Sequence, residues 1–296
     1  MDFSWRRLYN YGSSLFYVMP AMALFILFSL YPFLKNIELT FFEWDGVSPH
    51  RYFVGLGNYV SVLFAKADFW RAARNVAFLT VVGLILQNGL SLVLAVLVDR
   101  KTRGASLYRV VYFIPPMLPA IVVAFIWRWI LDADFGILNQ TLKNIGFGKL
   151  AMPWLGSKST ALAAVSVVNV WSSFGYAFVL FLAGLQGIPK TLYEAAKIDG
   201  ANEWQLFSQI TIPLLIPVMT IVSILTILGA VQSFDMIYIL TRGSPAGTTE
   251  VPALLIFLEA FEYHHFGLAA TMAVILGIIL FVLSLIQIKL SKRLSI

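Results

Sequence analysis

The chain has 296 residues, of which 59% are hydrophobic and 12% charged, with a formal net charge of +6 and a mean hydropathy of +0.83. Soluble domains carry about 25% charged residues, so a single water-soluble core cannot absorb this much apolar surface and lipid is the expected solvent. Without cysteine there is no disulfide, thiolate metal site or cysteine nucleophile, and the basic residues sit beside apolar runs, as topology determinants do, rather than as a nucleic-acid-binding face.

Uncharged stretches predict an all-α polytopic membrane protein, one domain over 1–296 with six transmembrane helices. The alternation of a membrane β-strand is missing. The first span, about 15–34, follows Trp5-Arg6-Arg7. The charge-free run from Leu8 to Leu34 exceeds the roughly 7–15 residues of a signal-peptide core, so it reads as a retained helix. The others fall at about 76–98, 110–130, 161–185, 212–240 and 268–288. Arg6, Arg7, Arg100, Lys101, Arg103, Arg109, Lys190, Lys197, Lys289, Lys292 and Arg293 all fall on one side of this arrangement. That side also holds both termini, which predicts that the termini are cytoplasmic. On the other side, Lys35, Arg51, Lys66 and Arg71 share a long loop with Glu38, Glu43, Asp45 and Asp68.

Prolines interrupt the spans at Pro20, Pro32, Pro115, Pro116, Pro119, Pro213 and Pro217. They read either as packing kinks or as hinges of a moving gate. Arg128 and Asp235 fall near external span ends. The second external loop, about 131–160, is short, and its Asn139-Gln140-Thr141 spells a glycosylation acceptor by coincidence.

Catalytic signatures are missing. The one Gly-Lys pair, Gly148-Lys149, is followed by Leu150 and preceded at the required offset by Lys143, so there is no phosphate loop. His50, His264 and His265 fall in external loops, and the adjacent pair cannot share one helix face as zinc ligands would. An intramembrane enzyme would need clustered histidines or carboxylates. An ion-driven carrier would place carboxylates or broken helices at the midplane.

The stretch between spans four and five, IPKTLYEAAKIDGANEWQLFSQITIPLLIP from Ile188 to Pro217, is the most informative. Pro189 suits the first turn of a short helix. Leu192, Ala195 and Ala196 offer it an apolar face, and Lys190, Glu194 and Lys197 have spacings for mutual support. Asp199-Gly200 ends it, with Gly200 in the left-handed conformation. Asn202 and Gln205 form a capping box for a second short helix with Trp204, Phe207 and Ile210 on its apolar face, and Pro213 then opens span five. Chemistry alone leaves this as either a rigid cytoplasmic elbow or a capped connector.

Glu194-Ala195-Ala196, Asp199-Gly200-Ala201, Phe207, Ile210 and Pro213 resemble the EAA loop of binding-protein-dependent ABC importers, here 188–213. FYVMPAMALFILFSLYPF in span one, FVGLGNYVSVL in the first external loop and LTRGSPAGTTE after span five resemble the carbohydrate branch, in particular its maltose-permease-like first membrane subunit. The resemblance covers nearly the whole chain, without the extra N-terminal helices of some members. It implies a type I ABC importer permease in the cell membrane, carrying no cofactor, with ATP bound by partners. Those partners would be a second homologous permease, two ATP-binding subunits that receive the Glu194 loop, and an extracytoplasmic solute-binding protein for a sugar or oligosaccharide. Glycerol-3-phosphate or a polyol is the alternative cargo.

Candidate substrate-path residues lie in spans four and five. Asn169, Ser173 and Tyr176 share one helix face, and Asn169-Val170-Trp171 resembles a family segment whose asparagine faces the path. Thr226 and Ser233 stack two turns apart. Amide and phenol groups suit sugar hydroxyls and ring faces. Equally, small polar residues in membrane helices commonly bridge helix to helix.

Overall fold

The computed structural model describes residues 17–99 and 104–294. Arg6, Arg7, Arg100, Lys101 and Arg103, which carry much of the orientation argument, lie outside the described residues. Among the described residues, five helices are long and apolar enough to cross a membrane, and a sixth crossing results if one bent helix pair is counted as a span. The residues cluster into two compact units, 1–66 with 256–275, and 67–255 with 276–296.

In the first unit, span one is Tyr17–Leu39. A short antiparallel hairpin follows, β1 (Phe42–Glu43) paired with β2 (Tyr52–Phe53). Asn58 ties the hairpin to the end of span one by donating to the carbonyls of Thr40 (2.9 Å) and Phe42 (3.0 Å). Gly267 packs here because any side chain would strike the Phe42 carbonyl, 1.9 Å from its ideal Cβ position. Glu259 is buried and holds both Lys66 and His265, the latter at 2.9 Å. His265 is thus held against a carboxylate, and no group of three or more potential metal-binding side chains occurs among the described residues.

In the second unit, span two runs from Ala67 to Asp99, nine residues earlier than its hydropathy predicts. Charge hides the extension. Arg71 lies on the helix rather than in the loop, bonded to Asp68 and Glu250 (both 2.9 Å). Asn75 donates to the carbonyls of Glu250 (2.8 Å) and Gly247 (3.2 Å), pinning the segment after span five onto span two. A π-helical turn, Gly83–Gln87, interrupts span two midway.

Span three is not the single helix expected over 110–130. It is two helices, Ala105–Met117 and Ala120–Ile130, bent by 93°. The cause is local: Pro119 forces Leu118 into an extended conformation (ψ 136°), and Pro115 and Pro116 supply no amide donors to the preceding turn. Pro217, by contrast, lies within the unbroken helix Ile212–Val231.

Span four, Ala161–Gln186, matches its expected limits closely. Gly175 lets it lie against the first half of span three, since a Cβ there would meet the Tyr112 carbonyl at 2.2 Å. Gly184 does the same against span five, with Leu215 and Val218 each 2.8 Å from its ideal Cβ position. Phe178, Phe181, Leu182, Leu185, Leu215 and Val222 form the core between spans four and five, joined by Ala95 and Val98 of span two.

Span five departs most from expectation. The helix begins at Glu203, not at Ile212, and continues to Val231. The predicted second short helix is therefore the first two turns of the span. A π-helical stretch, Leu206–Thr211, leads into Pro213 and accommodates its missing donor. After Val231 the helix stops, and Phe234–Leu240 is a separate helix. The last helix is Phe266–Leu294.

Candidate functional site

The second unit encloses a cavity of about 600 Å³ walled by spans two, four and five and by Phe113 of span three. Asn169, Ser173, Tyr176 and Thr226 line it, together with Gln87 and Ser166, and no lining residue carries a charged side chain. The shared face expected of Asn169, Ser173 and Tyr176 is what brings these three together.

Their hydrogen bonding separates them. The Asn169 amide has no partner among the described residues; only its main-chain carbonyl is used, by Ser172 at 3.0 Å. Tyr176 is half exposed, its ring edge-on to Phe113 at 5.6 Å, and its hydroxyl donates to the Pro116 carbonyl at 3.2 Å. It thereby caps a carbonyl at the break in span three. Thr226 lines the cavity with its hydroxyl already committed. Its hydroxyl is buried and donates to Asn88 Oδ1 at 3.0 Å, a bridge between spans two and five.

Ser233 is a correction. The expected stacking over Thr226 requires a helix through residue 233, but the helix ends at Val231. Ser233 instead precedes the helix Phe234–Leu240, donates to the Ala230 carbonyl at 2.7 Å, and does not line the cavity.

Two cavity residues, Gln87 and Ser166, are not marked as such by the sequence. Ser166 lies one turn before Asn169, and its hydroxyl bonds the Leu162 carbonyl at 2.7 Å. Gln87 ends the π turn of span two. Gln87 stands beside Asn88 and one turn before Ser91, and the letters alone do not tell which of these three faces a cavity and which ties helices together.

At the elbow, the first helix is Lys190–Ile198 with Pro189 immediately before it. Gly200 has φ +82°, and the Ala201 amide donates to the Ala196 carbonyl at 2.9 Å, closing the helix end as expected. The capping box forms: Asn202 accepts from the Gln205 amide at 2.9 Å, and Gln205 Oε1 accepts from the Asn202 amide at 2.8 Å. Lys197 lies 3.9 Å from Glu203 across the corner.

The apolar faces need correcting. Leu192 and Ala195 are exposed, and Tyr193 turns inward instead. Tyr193 packs on the core cluster, and its hydroxyl meets the buried Thr211 hydroxyl at 2.9 Å. On the second helix Leu206 is the buried anchor, while Trp204 is 71% exposed. Phe207 and Ile210 are half-buried, Ala196 and Ala201 likewise, and Glu194, Asp199, Gly200 and Pro213 are exposed. Ile198, 86% exposed, and Trp204 present large apolar side chains from the corner, an arrangement of the kind that marks an interaction surface.

Asn139 is not available for glycosylation. It is 1% exposed, donates to the Ala133 and Met152 carbonyls (3.0 Å each), and accepts from the Met152 amide (3.3 Å) and the Trp154 indole (2.8 Å). It organises the loop that includes the helix Ile137–Asn144. Arg128 ends the second half of span three and reaches the Ile239 carbonyl at 3.5 Å; Asp235 occupies the first turn of Phe234–Leu240.

Comparison with known proteins adds family context to this geometry. The family model for the binding-protein-dependent transport system inner membrane component matches residues 87–296. A probable ABC transporter permease of Bacillus subtilis is 35% identical over 93% of this chain and 94% of its own length. The trehalose/maltose transport system permease of Thermococcus litoralis is 30% identical, covering 93% of this chain and 92% of its own. Among solved structures, a bacterial ABC transporter involved in import of the acidic polysaccharide alginate superposes with a TM-score of 0.83 at 21% identity, covering 99% of each chain.

Proposed function

The chain belongs to the family of binding-protein-dependent transport system inner membrane components, and from that premise we propose that it is the permease subunit of an ATP-driven importer of a neutral sugar or oligosaccharide. One observation carries the choice of cargo: the cavity between spans four and five is lined by amide, hydroxyl, aromatic and aliphatic groups and by no charged side chain. Polyhydroxylated rings need hydroxyl partners and apolar faces, whereas a phosphorylated solute calls for cationic groups. The relatives agree in kind, being named for trehalose and maltose, starch degradation products and diacetylchitobiose.

In this reading Asn169, Ser173 and Tyr176 contact the solute, while Thr226 positions span five by holding Asn88. The exposed elbow, with Glu194, Ile198 and Trp204 on its surface, docks onto an ATP-binding subunit. A second permease completes the path, a second ATP-binding subunit completes the motor, and an extracytoplasmic binding protein delivers the solute. Both termini lie on the ATPase side. Docked ATPase subunits, on closing, move the elbow and rock spans four and five between the two access states.

The test is reconstitution of the assembled transporter in vesicles, with uptake of labelled maltose, trehalose, diacetylchitobiose and glycerol-3-phosphate measured beside ATP hydrolysis. Uptake of a neutral sugar is expected, with Glu194→Lys hydrolysing ATP but not importing. Uptake of glycerol-3-phosphate alone would overturn the cargo assignment, and full uptake by Glu194→Lys would overturn the coupling role. The chain reconstituted alone should import nothing; uptake without ATP-binding subunits would make it a carrier.

A further inference from the structure

We propose that Gln87 of span two is a specificity-determining residue of the translocation path, pairing with Asn169 to bind neighbouring hydroxyls of the solute. The inference rests on the transport reading above and extends the site to a span that the resemblance does not point to.

Three observations place it there. First, Gln87 lines the cavity, and its amide oxygen lies 3.7 Å from where a Cβ on Gly83 would stand, a position that also lines the cavity. The side chain thus folds back over a glycine rather than running out along the helix. A Cβ at residue 83 would meet this oxygen only in ordinary contact but would strike Thr226 Cγ2 at 2.8 Å, so the glycine lets span five lie against span two beside Gln87.

Second, Gln87 ends the π-helical turn Gly83–Gln87, which packs on spans four and five. The extra residue in such a turn shifts the helix face after it, and π turns occur often at functional sites.

Third, the polar groups around it divide sharply into spent and unspent. Asn88 accepts from Thr226, and Ser91 donates to the Phe174 carbonyl at 2.7 Å, so the residues just after Gln87 hold the helices together. The Gln87 amide has no partner among the described residues, and neither does that of Asn169. Two uncommitted carboxamides on the wall of an uncharged cavity each offer a donor and an acceptor, which matches the two-way hydrogen bonding of adjacent sugar hydroxyls. Both side chains are partly exposed, so their amides are open to the cavity and free to bond a solute.

The experiment uses the reconstituted transporter and whichever of labelled maltose, trehalose or diacetylchitobiose the unaltered complex imports, with monodeoxy analogues of that sugar. Gln87→Met keeps length and removes the amide. Gln87→Asn keeps the amide but withdraws it by one methylene. We expect the KM for uptake to rise about tenfold in Gln87→Met, with ATP hydrolysis in the absence of sugar unchanged. The unaltered complex should discriminate against at least one deoxy analogue, and Gln87→Met should lose that discrimination. Gln87→Asn should show an intermediate KM; should Gln87→Met fail to assemble, the KM and analogue preference of Gln87→Asn decide. Unchanged KM and unchanged analogue discrimination in either assembled variant would overturn the role of Gln87 while leaving the transport reading intact. Failure of the unaltered complex to import any of the three sugars would strike the transport reading itself.

Discussion

Replacing Gly200 separates the two ways in which the elbow could depend on this position. Its φ is +82°, and a Cβ built on it meets nothing within 4 Å. An alanine therefore adds no clash within the chain and isolates the backbone cost of holding an L-residue in the left-handed region, about 1–2 kcal/mol. That corresponds to a roughly fivefold to thirtyfold shift in the local equilibrium. Asparagine tolerates the left-handed region and should lose less, while β-branched valine should lose most. Hydrogen exchange at the amides of Gly200 and Ala201 reads the change directly, since they donate to the Lys197 (3.1 Å) and Ala196 (2.9 Å) carbonyls. Protection should fall in the order Gly, Asn, Ala, Val, and sugar imported per ATP hydrolysed should fall in the same order. An asparagine variant as impaired as valine would refute the backbone argument and place a partner surface against the glycine. Full coupling in the valine variant would refute the need for the turn.

Three further outcomes follow from the same geometry. Tyr193→Phe keeps the ring on the core but removes the hydroxyl shared with Thr211; it should cost about 1 kcal/mol and lower import per ATP without preventing co-purification of the complex, and an unchanged ratio would show that this bond does not set the elbow. Asn139→Ala strips four hydrogen bonds from a buried hub, leaves the Trp154 indole without its acceptor, and should destabilise the external loop by about 2–3 kcal/mol; limited proteolysis within 131–160 should quicken. The Asp45 carboxyl is held at about 2, below its ordinary 3.8, first by the Ser48 hydroxyl and then by the Ser48 and Val47 amides. A depressed carboxyl contributes stability above its unfolded value, and that contribution is lost as pH falls through the folded value. Protection of the Val47 and Ser48 amides, corrected for intrinsic exchange, should therefore decline between about pH 4 and pH 2, and Asp45→Asn should flatten the decline.

Span four was legible in the sequence because it is uncharged and bounded by Thr160 and by Gly187-Ile188-Pro189. The capping box at Asn202 and the left-handed Gly200 were also legible, since both depend on a few neighbouring residues. The start of span five was not. Pro213 reads as a helix start, yet a π turn before it accommodates the missing donor, a device with no sequence signature of its own. Span two was cut short for a different reason: Asp68 and Arg71 look like loop residues until Glu250, 179 residues beyond Arg71, is brought beside them. The bend at Leu118-Pro119 was visible as proline, but proline alone does not separate a mild kink from a 93° break. Span four also hid which of its polar groups are free. Asn169 and Ser166 look equivalent as letters, but only the serine has a carbonyl within reach.

The close approach at Gly184 has a mechanical consequence. Leu215 and Val218, which press on it, lie near the middle of the continuous rod that runs from Leu206 at the elbow to Thr226 at the cavity wall. That rod is about 30 Å long at 1.5 Å per residue, so the contact works as a fulcrum with arms of roughly 15 Å on either side. Under the proposed docking, a pull that shifts the elbow one way would swing the cavity wall the other way by a similar distance, about 2–3 Å for a tilt of about 10°. Equal arms neither amplify nor diminish the stroke, so the travel available at the cavity is set by how far the elbow is drawn.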